Sequence, residues 1–210
     1  MIDDMEYHVR AWTEILNQDL KANLSDKAIR GQMYGKNSEL FDRIFGPSRF
    51  SPDEVDHWSM EKEKKYQQAF RPHLELIRGL DGFLKNARDQ NIALAIGTAA
   101  IPFNVNFVLD NLDIAGYFQA IVTADDVKLS KPDPEVYLRC AELVGVDPAH
   151  CVVFEDAPKG VEAAQNAGMK SVVILSTLHG FDDFKEYNNI LKYIHDYTEI
   201  SPEEIVALLK

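Results

Sequence analysis

Short apolar runs, each set between stretches of helical periodicity, constrain this chain more than any other feature. Ile92-Ala93-Leu94-Ala95-Ile96 is apolar throughout, which suits a parallel strand buried on both faces. Ala120-Ile121-Val122-Thr123, Cys151-Val152-Val153-Phe154 and 171–175 repeat the texture. Between these runs the period changes. Pro102 opens a segment with Val105, Val108, Leu109 and Leu112 inward, and Asp133-Pro134 opens one expected to bury Val136, Cys140, Leu143 and Val144. An alanine-rich helix from about 160 stops at Gly168. Ser201-Pro202-Glu203-Glu204 reads as a capping box before a last helix. Strands alternating with helices predict an α/β fold with a parallel sheet and right-handed crossovers.

The first third has a different texture. Val9, Trp12 and Leu16 share a helical face, and Leu40, Phe41, Ile44 and Phe45 share another. Ser51-Pro52-Asp53-Glu54 supplies a cap, a first-turn proline and two acids at the positive end of a third helix. Val55, Trp58, Tyr66 and Phe70 continue that helix until Arg71-Pro72. The chain therefore divides into a helical module, 5–70, and an α/β module, 75–210. Neither shows an internal repeat.

With a net charge of -12, the sequence offers no basic face for nucleic acid or an anionic membrane. No apolar stretch approaches a membrane span, and Met1-Ile2-Asp3-Asp4-Met5-Glu6 is acidic where a signal peptide would be basic. Cys140 and Cys151 have no metal-site spacing and are expected to be buried and reduced. A cytoplasmic monomer is the expectation.

In open parallel sheets, ligands bind beyond the carboxyl ends of strands. Thr98 follows the run at 92–96, Lys131 lies beyond the run at 120–123, and Glu155-Asp156 follow Phe154 directly. Alone, each has an ordinary reading as a cap or a solvated turn residue. Together they put a hydroxyl, an ammonium and two carboxylates on one edge. A hydroxyl and an ammonium can hold phosphate oxygens, and a hard carboxylate suits Mg²⁺. That is most of what phosphoryl transfer needs, without a nucleophile.

Ile92-Ala93-Leu94-Ala95-Ile96-Gly97-Thr98 resembles the second motif of haloacid-dehalogenase-like phosphatases and phosphomutases. Lys131-Pro132-Asp133-Pro134 resembles the third, and the segment from Val152 through Glu155-Asp156-Ala157-Pro158-Lys159-Gly160 to Met169 resembles the fourth almost throughout. Glu6-Tyr7-His8-Val9-Arg10-Ala11-Trp12 is similar to the first cap helix of β-phosphoglucomutase-like members, and Gly35-Lys36-Asn37-Ser38 loosely to their substrate-recognising cap loop. The resemblance implies a Rossmann-like parallel core with a helical cap. In it Thr98 would bind the phosphoryl group, and Lys131 would neutralise phosphate. Asp156 with Glu155 would hold Mg²⁺, and His8 and Lys36 would serve substrate from the cap. The substrate would be a small phosphorylated metabolite such as a sugar phosphate.

The family opens with an apolar strand ending in DxDG, whose first Asp is the nucleophile. By this resemblance the chain begins after it, with residues 1–4 as a hinge remnant and the first central strand absent. A start codon assigned too late is the expected explanation. Where Arg78 stands, before Gly79, the family has a proline. Two further readings remain at this level. One is a non-catalytic relative that binds a phosphorylated ligand or a protein. The other is a Mg²⁺-independent 2-haloacid dehalogenase, which the Glu155-Asp156 pair disfavours.

Overall fold

The structure, a computed structural model, describes residues 1–176 and 179–209. Residues 177, 178 and 210, which the α/β module expected over 75–210 includes, lie outside the described residues. The chain forms two compact units, Asp4–Leu74 and Met1–Asp3 with Glu75–Lys210.

The first unit is helical. It contains α1 (Met5–Thr13), a π-helical stretch at Glu14–Asp19, α2 (Asp26–Arg30), α3 (Asn37–Phe45) and α4 (Pro52–Phe70). At the start of α4 the Ser51 hydroxyl accepts the Glu54 amide, and the Glu54 carboxylate accepts the Ser51 amide at 2.8 Å. This satisfies two donors that a helix start otherwise leaves unpaired. Val9, Trp12, Ile15, Leu16, Leu40 and Phe41 form one buried cluster, with Val55 and Trp58 against it.

The second unit alternates helix and strand: α5 (Leu80–Asp89), β1 (Ala95–Gly97), α6 (Pro102–Leu112), β2 (Ala120–Val122), α7 (Glu135–Val144), β3 (Val152–Glu155), α8 (Pro158–Asn166), β4 (Lys170–Ile174), β5 (Ile190–Ile194) and α9 (Pro202–Leu208). All strand pairs are parallel, in two groups, β1-β2 and β3-β4-β5. Side chains on β4 alternate between two cores. Val172 and Ile174 join α5, α6 and α9, whereas Val173 joins Val161 and Phe184. A third cluster places α7 and α8 against Val122. Helices thus cover both faces, as a parallel sheet requires.

Several sequence expectations need correction. The strand expected at 92–96 is Ala95–Gly97, and only Ile96 in it is buried. Upstream, the Ile92 amide closes onto Ala87 O at 2.9 Å, and the Leu94 amide takes the Gln119 side chain at 2.7 Å. The first bond closes the end of α5 and the second goes to a side chain just ahead of β2, so the apolar run is not all strand. Val152, Val153 and Phe154 are half-buried. Among the described residues β1 and β3 do not pair with each other, so each strand keeps an edge. On α7 the inward positions are Val136, Tyr137, Cys140 and Ala141; in the last turn Leu143 is 58% exposed and Val144 only half-buried. Both cysteines are free thiols, but Cys151 is only half-buried. Strand β5 was not expected at all. No described helix is long and apolar enough to cross a membrane.

Candidate active site

Strand β3 delivers Glu155, 9% exposed, to its carboxyl end. One carboxylate oxygen, Oε1, accepts hydrogen bonds from the Lys131 ammonium and the Tyr137 hydroxyl. The other, Oε2, accepts from the backbone amides of Asp156 at 3.2 Å and Ala157 at 3.3 Å. Lys131 Nζ also donates to Gly97 O at 3.2 Å and lies 4.7 Å from the centre of the Tyr137 ring. Burial acts to raise the Glu155 pKa. The Lys131 charge and the hydrogen bonds from Lys131, Tyr137 and Ala157 outweigh it and hold the carboxyl below its ordinary range. Burial first, then the Glu155 charge, pushes the Tyr137 phenol well above its ordinary value, so it remains a donor.

Two glycines make room for this arrangement. A Cβ on Gly97 would meet the Tyr137 ring at 3.1 Å and Cys140 Sγ at 3.1 Å. A Cβ on Gly160, in the first turn of α8, would overlap the Glu155 carboxylate. Because four donors fix that carboxylate, it has no easy retreat. Gly160→Ala is expected to break the Lys131–Glu155 contact and to cost roughly 1–3 kcal/mol. Chemical denaturation followed by circular dichroism measures it, and an unchanged midpoint would show that Glu155 is mobile.

Thr98 sits one residue beyond β1. Its amide extends the ladder to Val122 O at 2.9 Å, and its hydroxyl accepts the Ala100 amide at 3.0 Å. Lys131 is brought to the same place through Gly97 O. Thr98, Lys131 and Glu155 are therefore assembled around the end of β1. Asp156, half-buried, follows Glu155 and lines a cleft of about 280 Å³ at the ends of β3, β4 and β5, together with Asp3, Arg78, Ser176 and Asp196. Glu155 also reaches this cleft; Thr98 and Lys131 do not line it.

Asp156 has the chemistry for a hard divalent cation, which binds through one or two carboxylates with water and substrate oxygens. Glu155 beside it has donors on both oxygens, the Lys131 ammonium among them. Among the described residues no group of three or more His, Cys, Asp or Glu side chains converges as a cation site.

The two residues expected to serve substrate from the cap, His8 and Lys36, both lie in the unit Asp4–Leu74. His8 stacks on Tyr66 with ring centres 3.8 Å apart, faces Asp4 at 3.4 Å through Nε2, and meets Lys62 Nζ at 2.7 Å through Nδ1. Lys36 precedes α3, and its amide donates to Glu39 Oε2 at 3.0 Å. Lys62 and Glu63 are 3% and 4% exposed and form an ion pair at 3.0 Å.

Sequence reasoning missed Tyr137, Lys62 and Glu63. A signal existed for two of them. Tyr137 stands next to Val136 and three residues before Cys140, on the inward face of α7, and a buried phenol needs a partner. Lys62 continues the stripe Val55, Trp58, Tyr66 at helical spacing.

Residues 1–174 match the family model described as haloacid dehalogenase-like hydrolase. The phosphorylated carbohydrates phosphatase of Thermotoga maritima is 32% identical over 192 residues, covering 85% of this chain and 86% of that protein. The beta-phosphoglucomutase of Bacillus subtilis is 30% identical over 176 residues, covering 81% and 76%. A crystal structure of beta-phosphoglucomutase from Clostridium difficile superimposes with a TM-score of 0.84 at 25% identity, covering 100% of this chain and 92% of that one. With a match over most of its length and an α/β fold shared with solved relatives, this chain belongs to the haloacid dehalogenase-like hydrolase family.

Proposed function

We propose that this chain carries the phosphate- and metal-binding part of a Mg²⁺-dependent phosphoryl-transfer site for a small phosphorylated metabolite of the sugar-phosphate class. The observation that carries the reading is Lys131, held between Gly97 O and Glu155 at the end of β1, one residue from Thr98. A fixed ammonium beside a hydroxyl is suited to the charge on a transferring phosphoryl group. The relatives' names, a phosphatase of phosphorylated carbohydrates and a phosphoglucomutase, support the substrate class. Asp156 would hold the cation, which when bound would neutralise phosphate charge. The unit Asp4–Leu74 would act as the cap that selects substrate, with His8 and Lys36 serving that selection.

In this reading residues 1–210 do not themselves supply the attacking carboxylate. Glu155 is engaged by four donors, Asp156 is given to the metal, Asp196 is held by Thr198, and Asp3 falls by the family resemblance on the hinge rather than on the nucleophile. The 210-residue polypeptide should therefore show no turnover of sugar phosphates, while a polypeptide lengthened by a first strand ending in DxDG should turn over and need Mg²⁺. Asp156→Asn in the lengthened form should lower turnover roughly a hundredfold or more. Assays with and without Mg²⁺ on a panel of phosphorylated sugars test all three statements. Equal turnover from the two lengths would show that the nucleophile lies within residues 1–210. Phosphate binding without turnover in either would favour a non-catalytic relative.

A further inference from the structure

We propose that Arg78 is a specificity-determining residue: it gives the cleft at the ends of β3, β4 and β5 a place for a ligand carboxylate, so that the favoured ligand is a phosphorylated sugar acid. The phosphate half of this inference rests on the phosphoryl-transfer reading above; the carboxylate site at Arg78 does not.

What the fold takes from position 78 is its backbone. Arg78 O accepts the Tyr197 amide at 3.0 Å, and beside it the Ile77 amide donates to Met1 O at 2.9 Å. Gly79 packs so closely that a Cβ on it would meet Thr198 N at 2.8 Å. The segment 77–79 is therefore held against 1 and 197–198. A proline at 78 would offer the same carbonyl with fewer conformations to lose. Arginine instead brings one of the side chains that lose most freedom when ordered. Arg78 is exposed and lines the cleft of about 280 Å³. Among the described residues its guanidinium forms no hydrogen bond and no ion pair, so it supports nothing in the fold.

The other charges in the cleft decide what Arg78 can take. Asp3, Glu155, Asp156 and Asp196 line it. Glu155 has Lys131 as its counter-charge. Asp196 accepts the Thr198 amide at 2.8 Å and the Thr198 hydroxyl. Those bonds first, and the Arg78 charge after them, hold the Asp196 carboxyl below its ordinary range. His195, the other basic residue there, turns Nδ1 to Glu199 at 3.3 Å. Arg78 thus brings a planar fork of donors that matches a planar carboxylate. A carboxylate carries one negative charge into this acidic cleft, whereas a phosphate monoester carries up to about two. One guanidinium answers the first better than the second. Pockets that enclose a whole ligand measure roughly 300–1,000 Å³, so this cleft suits one end of a molecule. Thr98 and Lys131 do not line it. A ligand using both places therefore carries its phosphate and its carboxylate on different atoms.

The test uses the full chain and two readouts, calorimetry for binding and phenylglyoxal labelling with mass spectrometry for arginine exposure. Phosphogluconate and sorbitol phosphate are open-chain ligands that differ by a carboxylate in place of a terminal alcohol. Phosphogluconate should bind about tenfold tighter or more. Arg78→Gln should bring the two ligands to the same affinity without moving the thermal midpoint. Arg78→Lys should restore only part of the difference, because an ammonium lacks the fork. Gluconate, which has no phosphate, should shield Arg78 from phenylglyoxal, and neutral sorbitol should not. Arg88, 53% exposed on α5 in the same unit, is the control and should label equally throughout. Equal affinity of the parent chain for the two phosphates, or a difference that survives in Arg78→Gln, would overturn the proposal. A hexitol bisphosphate that gains as much as phosphogluconate would overturn the choice of a carboxylate. If neither phosphate binds, the phosphoryl-transfer reading falls and the phosphate half with it. Gluconate then decides the Arg78 site by itself: shielding upholds it, and unchanged labelling overturns it.

Discussion

Replacing Lys131 with methionine should destabilise the unit that contains it by roughly 3–5 kcal/mol, because it strands the Glu155 carboxylate without its counter-charge. The side chains of Lys131 and Glu155 are 15% and 9% exposed, so water cannot make good the loss. Adding Glu155→Gln should return a large part of it, since a neutral amide no longer needs the ammonium; a coupling of about 2 kcal/mol or more is expected. Both tryptophans, Trp12 and Trp58, lie in the other unit, so fluorescence would report the wrong part of the molecule. Hydrogen exchange at the amides of β3 and β4 is the suitable measurement, because it reads opening free energies locally. A single variant within about 1 kcal/mol of the parent would show that Glu155 is solvated, and its place in the site would have to be redrawn. The same ion pair bears on catalysis. An alanine or methionine at 131 lowers stability as well as turnover, so lost activity alone does not identify a phosphate-binding lysine.

The fold was legible where one local rule dominated. The cap at Ser51, the proline at 102 and the stop at Gly168 each act within a few residues, and the helices begin and end close to them. Strand lengths were less legible, because a strand is only as long as its partner allows. Ile92 and Leu94 are as apolar as Ile96, yet their amides are taken by the end of α5 and by Gln119, and β2 offers only Ala120–Val122 for pairing. Strand β5 was overlooked although Ile190, Tyr193 and Ile194 carry strand propensity. Lys192 interrupts the apolar run, and its charge is carried outward to Glu204.

The candidate site was legible as a set of positions and not as a set of contacts. Placing Thr98, Lys131, Glu155 and Asp156 at strand ends follows from topology. That Lys131 and Glu155 satisfy each other does not, since it depends on Gly97 and Gly160 leaving space for the Tyr137 ring and the carboxylate. Glycine in a sequence announces a turn more readily than a place reserved for another residue's side chain.

The charge run Glu61-Lys62-Glu63-Lys64-Lys65 is the sharpest instance of that limit, and it carries the second large prediction. Read as composition it is a solvated face, and Glu61 and Lys64 do pair on the surface at 2.7 Å. Helical spacing puts Lys62 on the inner stripe with Val55, Trp58 and Tyr66. There its ammonium meets Glu63 at 3.0 Å and His8 Nδ1 at 2.7 Å, and lies 5.4 Å from the centre of the Trp12 ring. Glu63 in turn accepts Asn37 Nδ2 at 2.9 Å, and Asp4 accepts the Tyr66 hydroxyl at 2.6 Å. Burial lowers the Lys62 pKa, against the pull of Glu63 and Asp4. Lys62→Met should therefore cost the helical unit roughly 3–5 kcal/mol, since Glu63 stays buried without its cation and His8 loses its donor. Lys62→Met with Glu63→Gln should recover much of that, as Asn37 can still bond a neutral amide. Here Trp12 and Trp58 are well placed, and their fluorescence during urea unfolding reads this unit alone. If the single and double variants unfolded at the same urea concentration, the lysine would be holding its place by packing its methylenes on Trp12 and Tyr66, and the charges would be incidental to the fold.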